Sequence, residues 1–410
     1  MQVNGQIVHK LIDDIKTYGG SADKGVTRLA YSDEDMAAQE YVICILRELG
    51  CTVRRDVIGN IFARLEGQAA GLPAIATGSH LDSVKQAGPL DGVLGVVGAV
   101  EVVRLAKEKG LRHPLEVMIF MAEESTRFGF ATMGSKLMAG IGSPQGFCKA
   151  TKTGEKDYIQ VLEERGFKPA EYESARINPA EYKAFLELHI EQGRVLADSD
   201  ESIGVVENIA APTRMKITVV GMADHSGATP MGFRKDALVT AARLIVKLEE
   251  IAKAHASEGI VATVGVVDIE PSSINVIPGK ATLWVDLRGV EQASILAAVN
   301  ELHVAISDIS EADDIKIVTD ILTADKPVPL SKELAAISEQ VCQELSIKYR
   351  RMNSGAGHDA MHIATIIPTT MIFVPSIDGI SHNPAEYTKP QDIELGVQVL
   401  WESICRIDRD

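Results

Sequence analysis

The chain has 410 residues, which is long for a single domain and predicts two. Its 41 lysines and arginines against 57 aspartates and glutamates give a formal charge of −16, which argues against nucleic acid or an anionic membrane as the main partner. The hydrophobic share of 46% is enough for substantial cores.

The cysteines and the apolar runs predict a cytoplasmic protein without a membrane segment. The five cysteines are odd in number and have no CxxC spacing, which indicates neither a disulfide framework nor a thiolate metal site. The first helical pattern carries charged residues such as Lys10 and Asp13 in place of an apolar signal core. The apolar run from Val93 to Val100 is too short to cross a bilayer.

Residues 1 to about 65 are predicted to form helices first and then two strands. Ser32 followed by three acidic residues is typical of a helix start, because acidic side chains suit the positive end of the helix dipole. The helical spacing continues to Leu49, and Gly50 ends it. Residues 51–57 and 60–65 then alternate in the manner of strands.

Three apolar strands follow, and each ends at polar side chains that suit metal binding or proton transfer. They are Pro73–Gly78 before His80, Leu115–Met121 before Glu123 and Glu124, and Tyr182–Leu188 before His189. A helix is predicted from Val93, with Asp91 at its N-terminus, where the dipole favours an ionised carboxylate. This order of strand, ligand and helix is the α/β pattern, which places a site at the carboxyl ends of the strands.

The segment 213–327 is predicted to be an inserted α+β domain. Its βαββαβ elements are strand Met215–Val220, helix Asp236–Ala254, strands Val261–Asp268 and Ala281–Leu287, helix Ala293–Ser307 and strand Ile315–Leu322. The rest of the chain, 1–212 and 328–410, is predicted to be an α/β catalytic domain with a mixed central sheet flanked by helices. Helix Ser331–Leu345 and a buried strand from Thr370 return to this domain and lead to His382.

Five residues of metal-ligand type stand out: His80, Asp91, Glu124, His189 and His382. A single histidine is usually structural, but three that each follow an apolar run are hard to explain by chance. Five such ligands can form two metal sites if one carboxylate bridges, and the short, rigidly placed Asp91 is the natural bridge.

Two further carboxylates are candidates for catalysis. Glu123 directs its side chain differently from its neighbour Glu124, so it can face a water on the ions and take its proton. Asp82 could accept the imidazole N–H of His80 and fix its tautomer, and the alternative for Asp82 is a helix cap. The sequence has no GxSxG elbow, Walker loop or GxGxxG after a strand.

The inserted domain carries its own polar residues, of which Arg288 at a strand end is the most informative. An arginine there could hold a carboxylate through two parallel hydrogen bonds, and the alternative is a surface salt bridge.

Nine segments, spread over nearly the whole chain, resemble the dinuclear-metal amidohydrolases of the M20 peptidase-like family. They are Gly78-Ser-His-Leu-Asp-Ser, Leu90-Asp-Gly, Ala122-Glu-Glu-Ser, Glu187-Leu-His-Ile-Glu-Gln-Gly, His225-Ser-Gly-Ala-Thr-Pro-Met, Asn275-Val-Ile-Pro-Gly, Asp286-Leu-Arg-Gly, Ser354-Gly-Ala-Gly-His-Asp-Ala and Ile380-Ser-His-Asn-Pro-Ala-Glu. The more similar branch holds N-carbamoyl-L-amino-acid hydrolases, β-ureidopropionases and allantoate amidohydrolases.

The resemblance implies a role for each motif residue. One ion would be held by His80, Asp91 and His189, and the second by Asp91, Glu124 and His382, with Glu123 as general base. Substrate would be bound by Gln192, His225, Asn275, Arg288, Gly357 and His358. The inserted domain would be a lid and dimerisation domain, so the resemblance implies a homodimer.

The predicted function is hydrolysis of the ureido bond of N-carbamoyl-L-amino acids to amino acid, carbon dioxide and ammonia. It would use two divalent ions, Zn²⁺ or Mn²⁺, with Co²⁺ and Ni²⁺ also suited to these ligands. The alternatives are an allantoate amidohydrolase, an M20 dipeptidase or aminoacylase, and, from a different class, a non-catalytic binding protein on this fold.

Overall fold

The structure is a computed structural model that describes residues 1–21, 23–148 and 155–409. Its chain forms two compact units, one of Met1–Glu207 with Pro329–Asp410 and one of Asn208–Val328. The boundaries expected from the sequence, at 212/213 and 327/328, lie within five residues of these.

The helices and strands, in chain order, divide between the units as follows. Before the second unit come α1 (Gly5–Lys16), β1 (Gly20–Ser21), β2 (Gly25–Val26), α2 (Asp33–Glu48), β3 (Thr52–Arg55), β4 (Ile61–Leu65), β5 (Ala74–His80), α3 (Val93–Lys109), β6 (Leu115–Phe120), α4 (Met133–Met138), α5 (Pro144–Phe147), α6 (Tyr158–Glu164), β7 (Tyr182–Ile190), α7 (Val195–Asp198) and β8 (Ile203–Ile209). The second unit holds β9 (Ala211–Val220), β10 (Asp224–His225), α8 (Ala237–Ala254), β11 (Val261–Glu270), β12 (Val276–Ile277), β13 (Lys280–Gly289), α9 (Gln292–Asp313) and β14 (Lys316–Ala324). The chain ends with β15 (Val328–Pro329), α10 (Lys332–Glu344), β16 (Tyr349–Ser354), α11 (Asp359–Ile363), β17 (Thr369–Val374) and α12 (Pro390–Arg409).

The first unit is built on a mixed sheet with the strand order β15-β8-β17-β7-β5-β6-β4-β3, and β16 pairs with β8. The central strands β17, β7, β5 and β6 are parallel, whereas β8 and β4 join them antiparallel. β5 and β6 are buried along their whole length, as is usual for the central strands of a parallel sheet. Their carboxyl ends, and those of β7 and β17, meet at one edge of the sheet.

Helix α3 packs unusually close to this sheet because of its glycines. A Cβ at Gly95 would lie 2.5 Å from the carbonyl oxygen of Leu188 and 2.7 Å from the Cβ of Ser79. Glycine weakens a helix interior, so this close contact is the physical reason that the sequence places one here. It brings the N-terminus of α3, and therefore Asp91, next to the ends of β5 and β7.

The second unit is an antiparallel sheet of order β11-β13-β9-β14, with an apolar core between it and helices α8 and α9. Buried and partly exposed residues alternate along most of β9, which is the pattern of a strand with one covered face. The short β10 and β12 pair with each other beside it.

Several helices differ from the sequence prediction, and α9 and α12 are the longest of them. Helix α9 continues six residues beyond the predicted end at Ser307, and Asp314 ends it in a left-handed conformation. Helix α12 was not predicted, although its buried residues belong to the main core. No helix among the described residues combines the length and apolarity that crossing a membrane requires.

We expect the replacement Gly95→Ala to destabilise the first unit by about 1–3 kcal/mol, because overpacking against Leu188 outweighs the gain of about 1 kcal/mol in helix propensity. The free energy of unfolding can be followed by urea denaturation with the fluorescence of Trp401, which is fully buried in this unit.

The matched control is Gly98→Ala, three residues further along the same helix. Its Cβ would come nearest to the Cδ2 methyl of Leu188, at 3.0 Å, which can move, and would meet Val397 and Leu400 only at ordinary contact distances of 3.5 and 3.7 Å. Equal losses of stability in the two variants would contradict the proposed close contact.

Candidate active site

The predicted metal ligands lie together at the carboxyl edge of the central sheet. His80 is the last residue of β5, and His189 lies one residue before the end of β7. Glu124 follows β6, His382 follows β17, and Asp91 lies two residues before the first residue of α3. The parallel order of these strands is what brings together residues that are far apart in the sequence.

Asp91 lies between two groups of donor atoms. Its Oδ1 atom is 3.3 Å from Nε2 of His189 and 3.9 Å from Nε2 of His80. Its Oδ2 atom is 2.9 Å from Nε2 of His382, which in turn is 3.3 Å from Oε1 of Glu124. Within each group the donor atoms lie within 4.8 Å of one another. Two atoms bound to one ion at about 2.0–2.1 Å are about 3.3 Å apart in tetrahedral geometry, so each group fits one metal ion.

The backbone between β5 and α3 leaves no space for a side chain next to Asp91. Gly92 has a φ of +68°, a region that favours glycine, and a Cβ there would lie 2.4 Å from Nε2 of His80. His382 also adopts a left-handed conformation, with a φ of +55°. Such conformations concentrate at functional sites.

Backbone carbonyls orient the two buried imidazoles. Nδ1 of His80 lies 3.0 Å from the carbonyl oxygen of Asp82, and Nδ1 of His189 lies 2.9 Å from that of Ile190. A carbonyl oxygen can only accept a hydrogen bond, so Nδ1 carries the hydrogen in both rings. Nε2 is then the nitrogen directed at Asp91 and available to a metal ion.

The prediction that the Asp82 carboxylate accepts the imidazole N–H of His80 is therefore wrong. Its Oδ1 atom is 3.7 Å from Nδ1 of His80, too far for a hydrogen bond. The carboxylate instead accepts hydrogen bonds from the backbone N–H groups of Glu123, at 3.3 Å, and Glu124, at 3.0 Å. Asp82 thus fixes the turn that carries the two glutamates, which is closer to the alternative of a cap.

Glu123 lies beside the ligands but belongs to neither Asp91 group. It is 8% exposed, and its Oε2 atom is 3.9 Å from Nε2 of His80. Burial, together with the nearby charge of Glu124, raises the pKa of the Glu123 carboxyl well above its usual range. A raised pKa makes a carboxylate a stronger proton acceptor, which suits proton transfer.

The electrostatics of the donors favour positive charge between them. Burial is the main reason that the pKa of His80 falls to about 4, although the nearby Asp91 carboxylate opposes the fall. Burial opposes ionisation of Asp91, but its contacts with His189 and His382 outweigh that effect and bring its pKa well below the usual range. The same contacts raise the pKa of His189 to about 9 and that of His382 to about 10. Protons on these imidazoles occupy positions that a divalent cation would take.

Gln192, predicted to bind substrate, contacts the bridging carboxylate. Its Nε2 donates to Oδ2 of Asp91 at 3.1 Å, and its backbone N–H donates to Oγ of Ser376 at 3.0 Å.

His358, also predicted to bind substrate, is 3% exposed and packs against His189 with ring centroids 4.5 Å apart. A Cβ at the neighbouring Gly357 would meet nothing within 4 Å. His358 is therefore placed to support His189.

The other predicted substrate residues lie in the second unit. Nδ1 of His225 accepts hydrogen bonds from the backbone N–H groups of residues 227 and 228, which leaves Nε2 as its donor. The backbone carbonyl of Asn275 accepts from the N–H of Ser226, so these two loops are adjacent. Arg288 makes two hydrogen bonds to Asp286, at 2.7 and 3.2 Å.

Two buried acids in the site have no role in the sequence prediction. Glu187 accepts hydrogen bonds from Ser79 and from the N–H of Ala360, so both of its oxygens are engaged although it lies near His189. Asp359 accepts from Oγ of Ser135 at 2.5 Å, and its Oδ2 atom has no hydrogen-bond partner. Each stands in a quoted motif beside a noted histidine, which was the available signal.

The fold and the two candidate groups of metal ligands are typical of a class of hydrolases that use two metal ions. The sequence profile of peptidase family M20/M25/M40 matches residues 76–406, and the chain belongs to this family. The chain is therefore a hydrolase of the M20 family.

Three relatives match over nearly the full chain. A ureidoglycolate hydrolase of Oryza sativa is 36% identical over 99% of this chain and 85% of its own length. An N-carbamoyl-L-amino acid amidohydrolase of Geobacillus stearothermophilus is 35% identical over 99% of both chains. An allantoate amidohydrolase of Escherichia coli is 35% identical over 96% of both.

Two solved structures of similar proteins align with this fold over the full chain. An amidase of the hydantoinase/carbamoylase family from Burkholderia multivorans aligns with a TM-score of 0.90 at 32% identity, over 100% of this chain and 99% of its own. AtUAH in complex with glyoxylate aligns with a TM-score of 0.86 at 34% identity, over the same shares.

Because Asp91 contributes to both donor groups, we expect Asp91→Ala to abolish tight binding of both ions, whereas Glu124→Ala should retain about one ion per chain. The measurement is the metal content of each variant after loading with Zn²⁺ and dialysis. Chelation of the wild-type protein should also lower its thermal midpoint, because bound ions stabilise the folded state.

Glu116→Gln is the matched control, since Glu116 is a buried carboxylate of β6 that bonds Tyr182 and Arg64 away from the donors. It should bind as many ions as the wild type. An Asp91→Ala protein that keeps two ions would refute the shared ligand.

Proposed function

We propose that this chain hydrolyses the ureido C–N bond of N-carbamoyl-L-amino acids or a closely related ureido acid. Water adds to the ureido carbon, and amino acid, carbon dioxide and ammonia leave. The observation that carries the proposal is that Asp91 is shared by two groups of metal-ligand donors, which together contain five residues. Glu123 lies beside these donors and belongs to neither group. The carbamoylase relative, which is 35% identical over 99% of this chain, supports the choice of substrate class.

The donor groups suit two divalent ions, one with His80, Asp91 and His189 and the other with Asp91, Glu124 and His382. Imidazole and carboxylate donors fit Zn²⁺ or Mn²⁺, and also Co²⁺ or Ni²⁺. When bound, such ions polarise the substrate carbonyl and make a nearby water more acidic. A ureido carbon needs this activation, because two nitrogens donate electrons into it and make it a poor electrophile.

Glu123 is proposed to move the proton. Its carboxylate would accept a proton from the attacking water and give it to the departing nitrogen, which a carboxyl of raised pKa can do in both directions. Asp82 would hold Glu123 in place through the backbone hydrogen bond described above. Gln192 would hold the Asp91 carboxylate in its bridging orientation.

Residues of the second unit are proposed to bind the rest of the substrate. Arg288 would receive its carboxylate, because a guanidinium offers two parallel hydrogen bonds to such a group. Asp286 supports this role, since its two hydrogen bonds hold the side chain of Arg288 in one orientation. His225 and Asn275 would contribute polar contacts, with Nε2 of His225 as a donor.

A second candidate function is hydrolysis of allantoate or ureidoglycolate. The relatives of Escherichia coli and Oryza sativa that bear these names favour it, because they match this chain at 35% and 36% identity over nearly all of its length. Both candidates use the same donors and the same proton carrier, so only turnover distinguishes them.

We expect metal-loaded protein to release ammonia from N-carbamoyl-L-amino acids with a higher kcat/KM than from allantoate, ureidoglycolate or a dipeptide. The amide of the same carbamoyl amino acid, which lacks the carboxylate, should react poorly, with a raised KM. A preference for allantoate or ureidoglycolate would select the second candidate.

Glu123→Gln is the control for the chemistry in this panel. It should bind metal normally and lose about 10²–10⁴-fold in kcat, the usual contribution of a general acid–base residue. A variant that turns over at the wild-type rate would exclude Glu123 as the proton carrier. A metal-loaded wild type that is inert toward every substrate would favour a non-catalytic binding protein.

We also propose that the protein is a homodimer formed through the second unit. The two outer strands of its sheet, β11 and β14, carry exposed apolar side chains, with Val266 49% and Ile321 54% exposed. Exposed apolar edge strands are ready to pair with another chain.

Light scattering should therefore give a mass near twice 44.1 kDa. Lysine at the edge that forms the interface, in Val266→Lys or Ile321→Lys, should give monomers, because a lysine blocks strand pairing. Ile141→Lys, at an exposed apolar residue of the first unit, is the control and should leave the mass unchanged. A wild-type mass near 44.1 kDa at micromolar concentration would refute the dimer.

A further inference from the structure

The segments that carry Asp91 and His382 are joined by the side chain of Glu386. Its Oε1 atom accepts hydrogen bonds from the backbone N–H of Leu90, at 2.9 Å, and from that of Asp91, at 3.2 Å. Glu386 is only 5% exposed, so this carboxylate makes its contacts inside the protein. The Asp91 ligand is therefore held by a residue almost 300 positions away in the sequence.

The other oxygen of Glu386 supports the His382 turn. Oε2 accepts a hydrogen bond from Oγ of Ser381 at 2.9 Å, and the backbone N–H of Glu386 donates to the carbonyl of Asn383 at 2.9 Å. His382 itself has a left-handed backbone, which is unfavourable for a residue with a side chain and persists only where its surroundings enforce it. Glu386 supplies part of that enforcement.

The stem of Glu386 has little freedom to move. A Cβ built on Gly88 would lie 2.2 Å from the Cβ of Glu386. The side chain of Glu386 therefore packs directly against the backbone of Gly88, where no side chain would fit. The length of the glutamate side chain is thus matched to the gap between the His382 turn and the N–H groups that precede α3.

We propose that Glu386 is a positioning residue that holds Asp91 and His382 at the separation that binding of a divalent ion requires. The inference rests on the proposed function, since it takes these donors to bind metal. Without Glu386 the N–H groups of Leu90 and Asp91 would be buried with no acceptor, and the segment would shift to recover hydrogen bonds. Because Asp91 serves both donor groups, the affinity for both ions would fall.

Glu386 could act through the length of its side chain or through its negative charge, and two substitutions separate these two properties. Glu386→Gln keeps the length and the Oε1 acceptor but removes the charge. Glu386→Asp keeps the charge but is one methylene shorter, so it cannot reach the N–H groups from the same backbone position. If reach decides, the glutamine variant resembles the wild type and the aspartate variant resembles Glu386→Ala.

The experiment is a titration of the metal-free full-length proteins with Zn²⁺ in competition with a chromophoric chelator. Glu386→Ala and Glu386→Asp should bind Zn²⁺ about 10–100-fold more weakly than the wild type, as is usual when a group that orients metal ligands is removed. Glu386→Gln should stay within about threefold of the wild type on the same reasoning. Circular dichroism verifies folding, and if the alanine variant does not fold, the aspartate variant carries the test.

Asp408→Ala is the matched control. Asp408 is 7% exposed and also accepts hydrogen bonds from two consecutive backbone N–H groups, those of Arg112 and His113. These residues precede β6, at the end of that strand opposite to Glu123 and Glu124. The variant should lose thermal stability but keep the wild-type affinity for Zn²⁺.

Three results would overturn the inference. The first is wild-type affinity in Glu386→Ala, and the second is a loss in Glu386→Gln as large as that in Glu386→Asp. The third is an equal loss of affinity in Asp408→Ala, which would mean that general destabilisation is the cause.

Failure of the proposed function gives a different result. A wild type that binds two Zn²⁺ ions but hydrolyses no ureido acid would reject the proposed substrate, while the affinities of the Glu386 variants would still support or overturn the inference. A wild type that binds no Zn²⁺ would overturn both.

Discussion

The arrangement of the first unit depends on one short side chain, the carboxylate of Asp91, which uses its two oxygens in opposite directions. Oδ1 faces His80 and His189, and Oδ2 faces His382 and Glu124. A carboxylate with only two side-chain torsions cannot satisfy both groups unless its backbone is placed accurately. The close packing of α3 on β5 and β7, and the absence of a side chain at Gly92, supply that placement.

The other carboxylates near Asp91 pay an electrostatic penalty for their burial. Burial raises the pKa values of Asp82, Glu123 and Glu124, because a charged carboxylate is poorly solvated there and each is near other acids. Positive charge between these groups relieves that penalty. The donors therefore have an electrostatic reason, as well as a geometric one, to hold cations.

The sequence was sufficient to predict which residues meet at the sheet edge, because four of the five predicted ligands follow apolar strands and parallel strands deliver their ends to the same side. The fifth, Asp91, was predicted from its place at the start of a helix. The α/β class and the βαββαβ order of the second unit followed from similar local patterns. Helix α12 was missed, since no motif residue drew attention to it. The true end of α9 was missed because its last turn is polar, although Ile309 still packs on the core.

Contacts between residues distant in the sequence were beyond such patterns. Nothing local in the sequence shows that Asp82 bonds the N–H groups of Glu123 and Glu124 in place of the imidazole two residues away. The burial of His358 behind His189 is equally invisible, because the loop that carries it is rich in glycine and resembles an exposed segment. Both depend on strand neighbours that only the folded chain defines.

The strand order of the first unit has a consequence for biosynthesis. Asp91 emerges from the ribosome about 290 residues before His382, which amounts to roughly 15–60 s at 5–20 residues per second. Strands β5, β6 and β7 can associate during that interval, but β17 must still insert beside β7. A nascent chain therefore waits with an unfinished sheet and an incomplete ligand set, and premature termination anywhere before residue 382 yields a product that lacks at least one of its five donors.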